Sequence, residues 1–147
     1  MVNNKDKGKE FIGNSVVYFC HDGQGRVLMH KRGAQARDEQ GKWDIGAGGI
    51  EFGDTAEQTL RKEIKEEYSC DVLDFEFLGY RDVVRNQNGQ QTHWVTLDFK
   101  VLVDPAQVKN GEPHKFDAVD WFTLNTMPAQ KHSQLDLFIE KYRDRLA

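Results

Sequence analysis

The stretch "GGIEFGDTAEQTLRKEIKEEYSC", residues 48–70, joins a glycine-rich segment to a run in which Glu63, Glu66 and Glu67 fall within a single helical turn. Carboxylates that close repel one another unless protons or a cation relieve them. Asp54 followed three residues later by Glu57 has the form of an N-cap with its capping box, so a helix is expected from Thr55 to about Tyr68. At about 100° per residue, with Ala56 at zero, Leu60 falls near ~40° and Ile64 near ~80°, which defines the buried stripe. The same arithmetic puts Glu67 near ~20°, Glu63 near ~340° and Glu66 near ~280°, whereas Arg61, Lys65 and Lys62 lie near ~140°, ~180° and ~240°. The basic side is thus turned to water and the acidic side toward the protein, which weakens the plain alternative of a solvated charged face. Carboxylates held there bind protons with raised pKa values or take up a cation. Oxygen-only ligands and a half-open site suit magnesium, or manganese in its place.

Working outward, "WDIGAGGIEFGD", residues 43–54, carries four glycines, too many for a regular element. It reads as a loop whose backbone approaches something closely, and a loop free of bulky side chains can bring a carbonyl up to the same cation. Upstream, "NSVVYFC" and "RVLMHKR" are strand-like and "HDGQG" supplies turn chemistry, so residues 14–32 read as a hairpin. Downstream, "VLDFEFLGYRDVV" and "THWVTLDFKVLV" flank an Asn-Gly hairpin signal and should pair antiparallel. "FDAVDWF" reads as a further strand. "SQLDLFIEKYRDRL" puts Leu135, Phe138, Ile139, Tyr142 and Leu146 on one helical stripe. The sum is an α/β chain, a mixed β-sheet with helices covering its faces.

At 147 residues the chain fits one domain, residues 11–147, behind a flexible polar N-terminal tail, residues 1–10. No apolar run is long enough for a secretory h-region or a membrane span, so a cytoplasmic location away from membranes is expected. Cys20 and Cys70 have neither CxxC spacing nor a histidine pair beside them, and read as reduced structural thiols. A formal charge of −4 without a long basic run argues against a nucleic-acid duplex as partner.

Residues 48–70 resemble the Nudix box, with Gly48, Glu63, Ile64, Glu66 and Glu67 in register. Three positions depart from that pattern: Asp54 stands for a Glu, Lys62 for an Arg, and Ser69 for a Gly. Lys62 keeps the charge but loses the planar fork that would hold the neighbouring Glu, and Ser69 leaves the helix without the usual C-capping glycine. The flanks "VLMHKR", "EPHKFDAVDWF" and "VDWFTLNTMP" are similar to MutT-like housecleaning enzymes acting on nucleoside triphosphates. The resemblance implies an α/β/α sandwich and magnesium-dependent hydrolysis of a diphosphate linkage in a small nucleotide. It makes Glu63, Glu66, Glu67 and the carbonyl of Ala47 the metal ligands, Arg32 a phosphate ligand, and Gly48 and Gly49 contacts for the substrate. Lys62 would steady Glu63. The general base stays open between Glu66 or Glu67 and Glu112 on the later loop "NGEPHK". The favoured substrate is a (deoxy)nucleoside triphosphate, oxidised or modified forms included, cleaved to monophosphate and pyrophosphate. The alternatives are ADP-ribose, a nucleotide sugar or a dinucleoside polyphosphate, or a non-catalytic nucleotide-binding module. The resemblance also leaves room for a homodimer.

Overall fold

A computed structural model of the chain describes residues 3–146. Strands β1 (Gly13–His21), β2 (Val27–Arg32), β3 (Trp43–Asp44) and β4 (Gly46–Gly49) precede helix α1 (Ala56–Tyr68). Strands β5 (Asp74–Gln87), β6 (Gln90–Leu102) and β7 (Phe116–Phe122) follow, and helix α2 (Leu135–Leu146) closes the chain. The seven strands form one mixed sheet in the order β3-β2-β1-β6-β5, with β4 on β1 and β7 on β2. β1 runs parallel to β6, and the other pairings are antiparallel.

The expected hairpin of residues 14–32 forms, but β1 and β2 are in register only at His21↔Val27, beside the turn. Beyond it β2 turns away to pair with β7 and β3, and the free edge of β1 is taken by β4 through Ser15↔Gly49 to Tyr18↔Gly46. This corrects the reading of residues 43–54 as a loop: Trp43–Asp44 and Gly46–Gly49 are short strands, and the close approach expected of the glycines is made at Gly46 and Gly48. A Cβ on Gly46 would meet Tyr18 Cε2 at 1.9 Å.

Period-two alternation splits β1 between two cores. Val16, Tyr18 and Cys20 face α1 with Leu60, Ile64 and Tyr68, while Phe19 faces α2 with Phe138, Ile139 and Tyr142. Both cysteines are buried free thiols. The long β5–β6 ribbon closes through Asn88 and Gly89, φ 53° and 81°, as a two-residue hairpin loop. α2 is fastened to it by Asp98, fully buried, which accepts from Arg81 at 2.7 and 2.9 Å and from Tyr142 Oη at 2.6 Å.

Of the expected tail, Met1 and Val2 lie outside the described residues, and the Gly8 carbonyl accepts from the His93 N–H of β6 at 2.8 Å. Lys7 Nζ donates to the Ile50 carbonyl, and a Cβ on Gly8 would come within 2.2 Å of the Trp94 indole nitrogen. Among the described residues no helix is long and apolar enough to cross a membrane.

Candidate active site

The acidic helix begins one residue later than Asp54 would set it. Thr55 is the N-cap, its hydroxyl accepting from the Gln58 N–H while the Gln58 side chain accepts from the Thr55 N–H. The pattern Thr-x-x-Gln satisfies two of the orphan donors of the first turn, which leaves Asp54 and Glu57 outside the box. At the other end Ser69 closes the helix in the left-handed region, φ 58°, with its N–H on the Lys65 carbonyl. The serine departure therefore still makes the cap, at a cost glycine would avoid.

Between these caps the carboxylates separate by depth. Glu67 is 3% exposed, Glu63 half-buried and Glu66 exposed, which follows the angular order of the three on the helix. Glu67 accepts a hydrogen bond from the buried Tyr18 hydroxyl. Burial pushes its pKa up to about 8, with Glu112 adding to the rise and Lys115 opposing it. The Glu63 carboxyl is also raised, first by burial and then by the Glu66 charge, against Lys62 and Lys115. Gly48 packs directly on this group: a Cβ there would meet Glu63 Cγ at 2.4 Å. Oxygen donors with excess negative charge, under a strand that leaves them space, are a set that fits a hard divalent cation.

The loop after β6 docks on the end of α1. Lys109 and Gly111 donate backbone N–H groups to the Tyr68 and Glu67 carbonyls at 3.0 and 2.9 Å, and a Cβ on Gly111 would lie 2.1 Å from the Glu66 carbonyl oxygen. Only glycine permits that approach. Glu112, 15% exposed, is thereby brought to the acidic face, where its charge acts on both Glu63 and Glu67. Its carboxylate pairs with Lys115 Nζ at 3.1 Å and with His114 Nε2 at 3.8 Å. Sequence reasoning passed over Lys115, although its i,i+3 spacing from Glu112 was a visible signal.

On the other side of β4 lies a cavity of about 460 Å³ between the sheet and α2. Ala47 lines it, with Trp94 and Thr96 of β6, Arg81 and Arg85 of β5, and Phe138 of α2. Arg32 stands at its rim and holds Asp38, donating to the Asp38 carbonyl at 3.1 and 3.2 Å and to Oδ1 at 2.9 Å. Arg85 spans Asp38 and Glu39 at 3.1 and 2.9 Å, and His132 Nε2 lies 2.8 Å from Glu39. The ligand atoms of Asp38, Glu39 and His132 lie within 4.8 Å of one another. Two guanidiniums already balance the carboxylates, so the trio reads as an ion-pair network. Asp44, also on the cavity wall, is pushed up to about 7 by burial, with Arg32 opposing.

Glu63, Glu67, Glu112, Lys62 and Gly48 therefore form one neighbourhood. Arg32 is tied to it through the next residue, because the Gly33 N–H donates to the Lys115 carbonyl at 2.9 Å. Gly49 lies instead toward Lys7 and Trp94. Among the aromatic residues of the sheet, Trp94 lines the cavity. Trp43 packs edge-on against Phe122, and Phe116 stacks on His30 within the core.

Comparison with known proteins adds an independent line. The NUDIX domain family model matches residues 12–142. An RNA pyrophosphohydrolase from Teredinibacter turnerae is 33% identical over 116 residues, 68% of this chain and 64% of the relative. The nucleoside triphosphatase NudI of Enterobacter sp. is 27% identical over 121 residues, 76% of this chain and 84% of the relative. The chain spans only 23% of the putative nudix hydrolase 1 of Caenorhabditis elegans, at 29% identity over 94 residues. Among solved structures, a MutT NUDIX hydrolase from Burkholderia pseudomallei superposes with a TM-score of 0.78 at 22% identity, over 89% of this chain and 98% of that one. The NUDIX domain of Shewanella oneidensis NrtR complexed with ADP ribose gives 0.71 at 21% identity, over 99% and 94%. At these identities the two structures are likenesses of fold.

Proposed function

Because the chain belongs to the Nudix family, we propose that it is a magnesium-dependent pyrophosphohydrolase converting a (deoxy)nucleoside triphosphate to the monophosphate and pyrophosphate. The observation that carries this reading is the buried, proton-hungry Glu67 beside Glu63 and Glu112, under the side-chain-free face of Gly48. The carboxylates of Glu63, Glu66 and Glu67, with the Ala47 carbonyl, would hold the cation. When bound, magnesium or manganese would neutralise diphosphate oxygens and lower the pKa of the attacking water.

The chain's own groups supply the rest. Glu112, which lies 3.1 Å from Lys115 Nζ, accepts the proton as a water oxygen bonds to phosphorus and the bridging P–O bond breaks. Lys62 opposes the rise of the Glu63 pKa. Arg32 exchanges Asp38 for a substrate phosphate, a task for which its fork is suited. The nucleoside enters the cavity on the Ala47 side, with Trp94 as the aromatic surface. The triphosphatase relative named above favours this substrate class over ADP-ribose.

A screen of nucleotides with magnesium, with products identified, tests the proposal. Pyrophosphate plus monophosphate is the expected outcome. Two monophosphate-type products would move the substrate to ADP-ribose, nucleotide sugars or dinucleoside polyphosphates, and no turnover with tight nucleotide binding would make the chain a sensing module. Glu112→Gln should lower kcat by about 10²- to 10⁴-fold while the protein still binds manganese.

A further inference from the structure

Lys115 is a cation inside the acidic neighbourhood to which the hydrolytic scheme gives no contact with substrate. Its backbone is fixed at both ends. The Lys115 N–H donates to the Glu112 carbonyl at 2.9 Å, and its own carbonyl accepts from Gly33 at 2.9 Å, next to Arg32. A Cβ on Gly33 would come within 2.8 Å of that carbonyl, so the strand end and the loop are in direct backbone contact. The side chain, by contrast, is 51% exposed, and Nζ makes its ion pair with Glu112 at 3.1 Å. From there its charge acts on Glu67, Glu112 and Glu63 together. Its charge counts against the burial of Glu67, whereas Lys62 acts on Glu63.

We propose that Lys115 is a mobile counter-ion of the carboxylate cluster: it balances Glu63 and Glu112 before metal and nucleotide arrive, then leaves Glu112 for a non-bridging oxygen of the substrate diphosphate. The inference rests on the diphosphatase reading above. A compact ammonium on a flexible four-carbon stem, with donors free to rotate, suits such a transfer better than a planar guanidinium would. Two consequences of opposite sense follow. An ammonium beside the site repels an incoming divalent ion, so its removal tightens metal binding. The same ammonium contacts phosphate, so its removal weakens substrate binding. A lysine that merely stiffened the loop would, when removed, loosen the carboxylates and weaken both.

The test is titration of manganese into chelator-treated protein at low ionic strength, with free Mn²⁺ read by electron paramagnetic resonance. It compares the wild type with Lys115→Gln, Lys115→Arg and Glu67→Gln. Steady-state kinetics use the nucleoside triphosphate that turns over fastest. Lys115→Gln should bind Mn²⁺ about three- to tenfold more tightly and raise KM about tenfold with a smaller change in kcat. Lys115→Arg, which keeps the charge, should bind Mn²⁺ as the wild type does. Unchanged or weaker Mn²⁺ binding in Lys115→Gln, or an unchanged KM, overturns the proposal. Glu67→Gln binding Mn²⁺ as well as the wild type would instead defeat the diphosphatase reading, an outcome that does not depend on Lys115.

Discussion

Tyr18 and Glu67 meet in the core beneath α1, where a carboxyl group can be kept only with a donor or a proton. Replacing Tyr18 with Phe removes the donor and leaves the carboxyl to its desolvation cost. About 1–3 kcal/mol of stability should be lost, read from urea unfolding of chelator-treated protein. The same site fixes a pH dependence. In the metal-free native state Glu67 keeps its proton up to about 8, whereas in the unfolded chain it ionises near 4.5. The native state thus binds more protons between those values, and stability falls as pH rises through that window and levels off above it. Asp44, raised to about 7, adds in the same sense over a shorter span. His30 and His132, lowered to about 3 and about 4, act at the acid end, since unfolded histidine takes up protons only below about 6.5. Between pH 6.5 and 8 the histidines fade, half protonated in the unfolded chain at the lower end and almost neutral at the upper, so they offset part of the decline only near pH 6.5. Glu67 alone should cost about 2 kcal/mol across that range. Thermal melts in chelator should show the decline, and Glu67→Gln should remove most of it.

At the scale of elements, the glycines of β4 decide how close α1 can lie to the sheet. Gly48→Ala puts a methyl group against Glu63 Cγ, part of the stem rather than its mobile end, so the side chain must rotate or the helix withdraw. The expected result is a loss of about 1–3 kcal/mol together with weaker Mn²⁺ binding, measured by unfolding and by metal titration on the same samples. What was legible in the sequence follows from the range of the interactions. The depth order of Glu67, Glu63 and Glu66 depends only on helical angle, and the hairpin at Asn88 and Gly89 only on turn chemistry, so both could be read locally. The cap was misplaced by one residue because two overlapping capping patterns, from Asp54 and from Thr55, compete and only the backbone geometry chooses. β4 was hidden because four glycine-rich residues carry no strand signal of their own. Their extended form comes from pairing with β1, some thirty residues earlier. The Glu39–Ser133 and Arg85–Asp38 contacts, 94 and 47 residues apart, depend on sheet order and register that no single segment encodes.

For the molecule as a whole, β4 acts as a partition. Gly46 and Gly48 turn their bare faces to Tyr18 and Glu63 on the α1 side, while Ala47, between them, lines the cavity on the α2 side. Period-two alternation thus assigns neighbouring residues of one short strand to two tasks, cation-holding carboxylates on one face and space for a nucleoside on the other. The proposed substrate has to reach across this partition, its phosphates toward Glu63, Glu67 and Arg32 and its base toward Trp94. The two halves should then be separable by a single substitution. Ala47→Leu adds side-chain volume to the cavity without altering the backbone carbonyl or the α1 face. Mn²⁺ affinity should therefore stay within about twofold of wild type, while KM for the nucleoside triphosphate rises at least about tenfold, the scale of one to a few methylene-sized mismatches in an apolar pocket. Kinetics and metal titration on one preparation check both halves. Equal losses of metal and nucleotide binding would mean that the cavity and the carboxylates form a single site on one side of β4, and an unchanged KM would remove the nucleoside from the cavity.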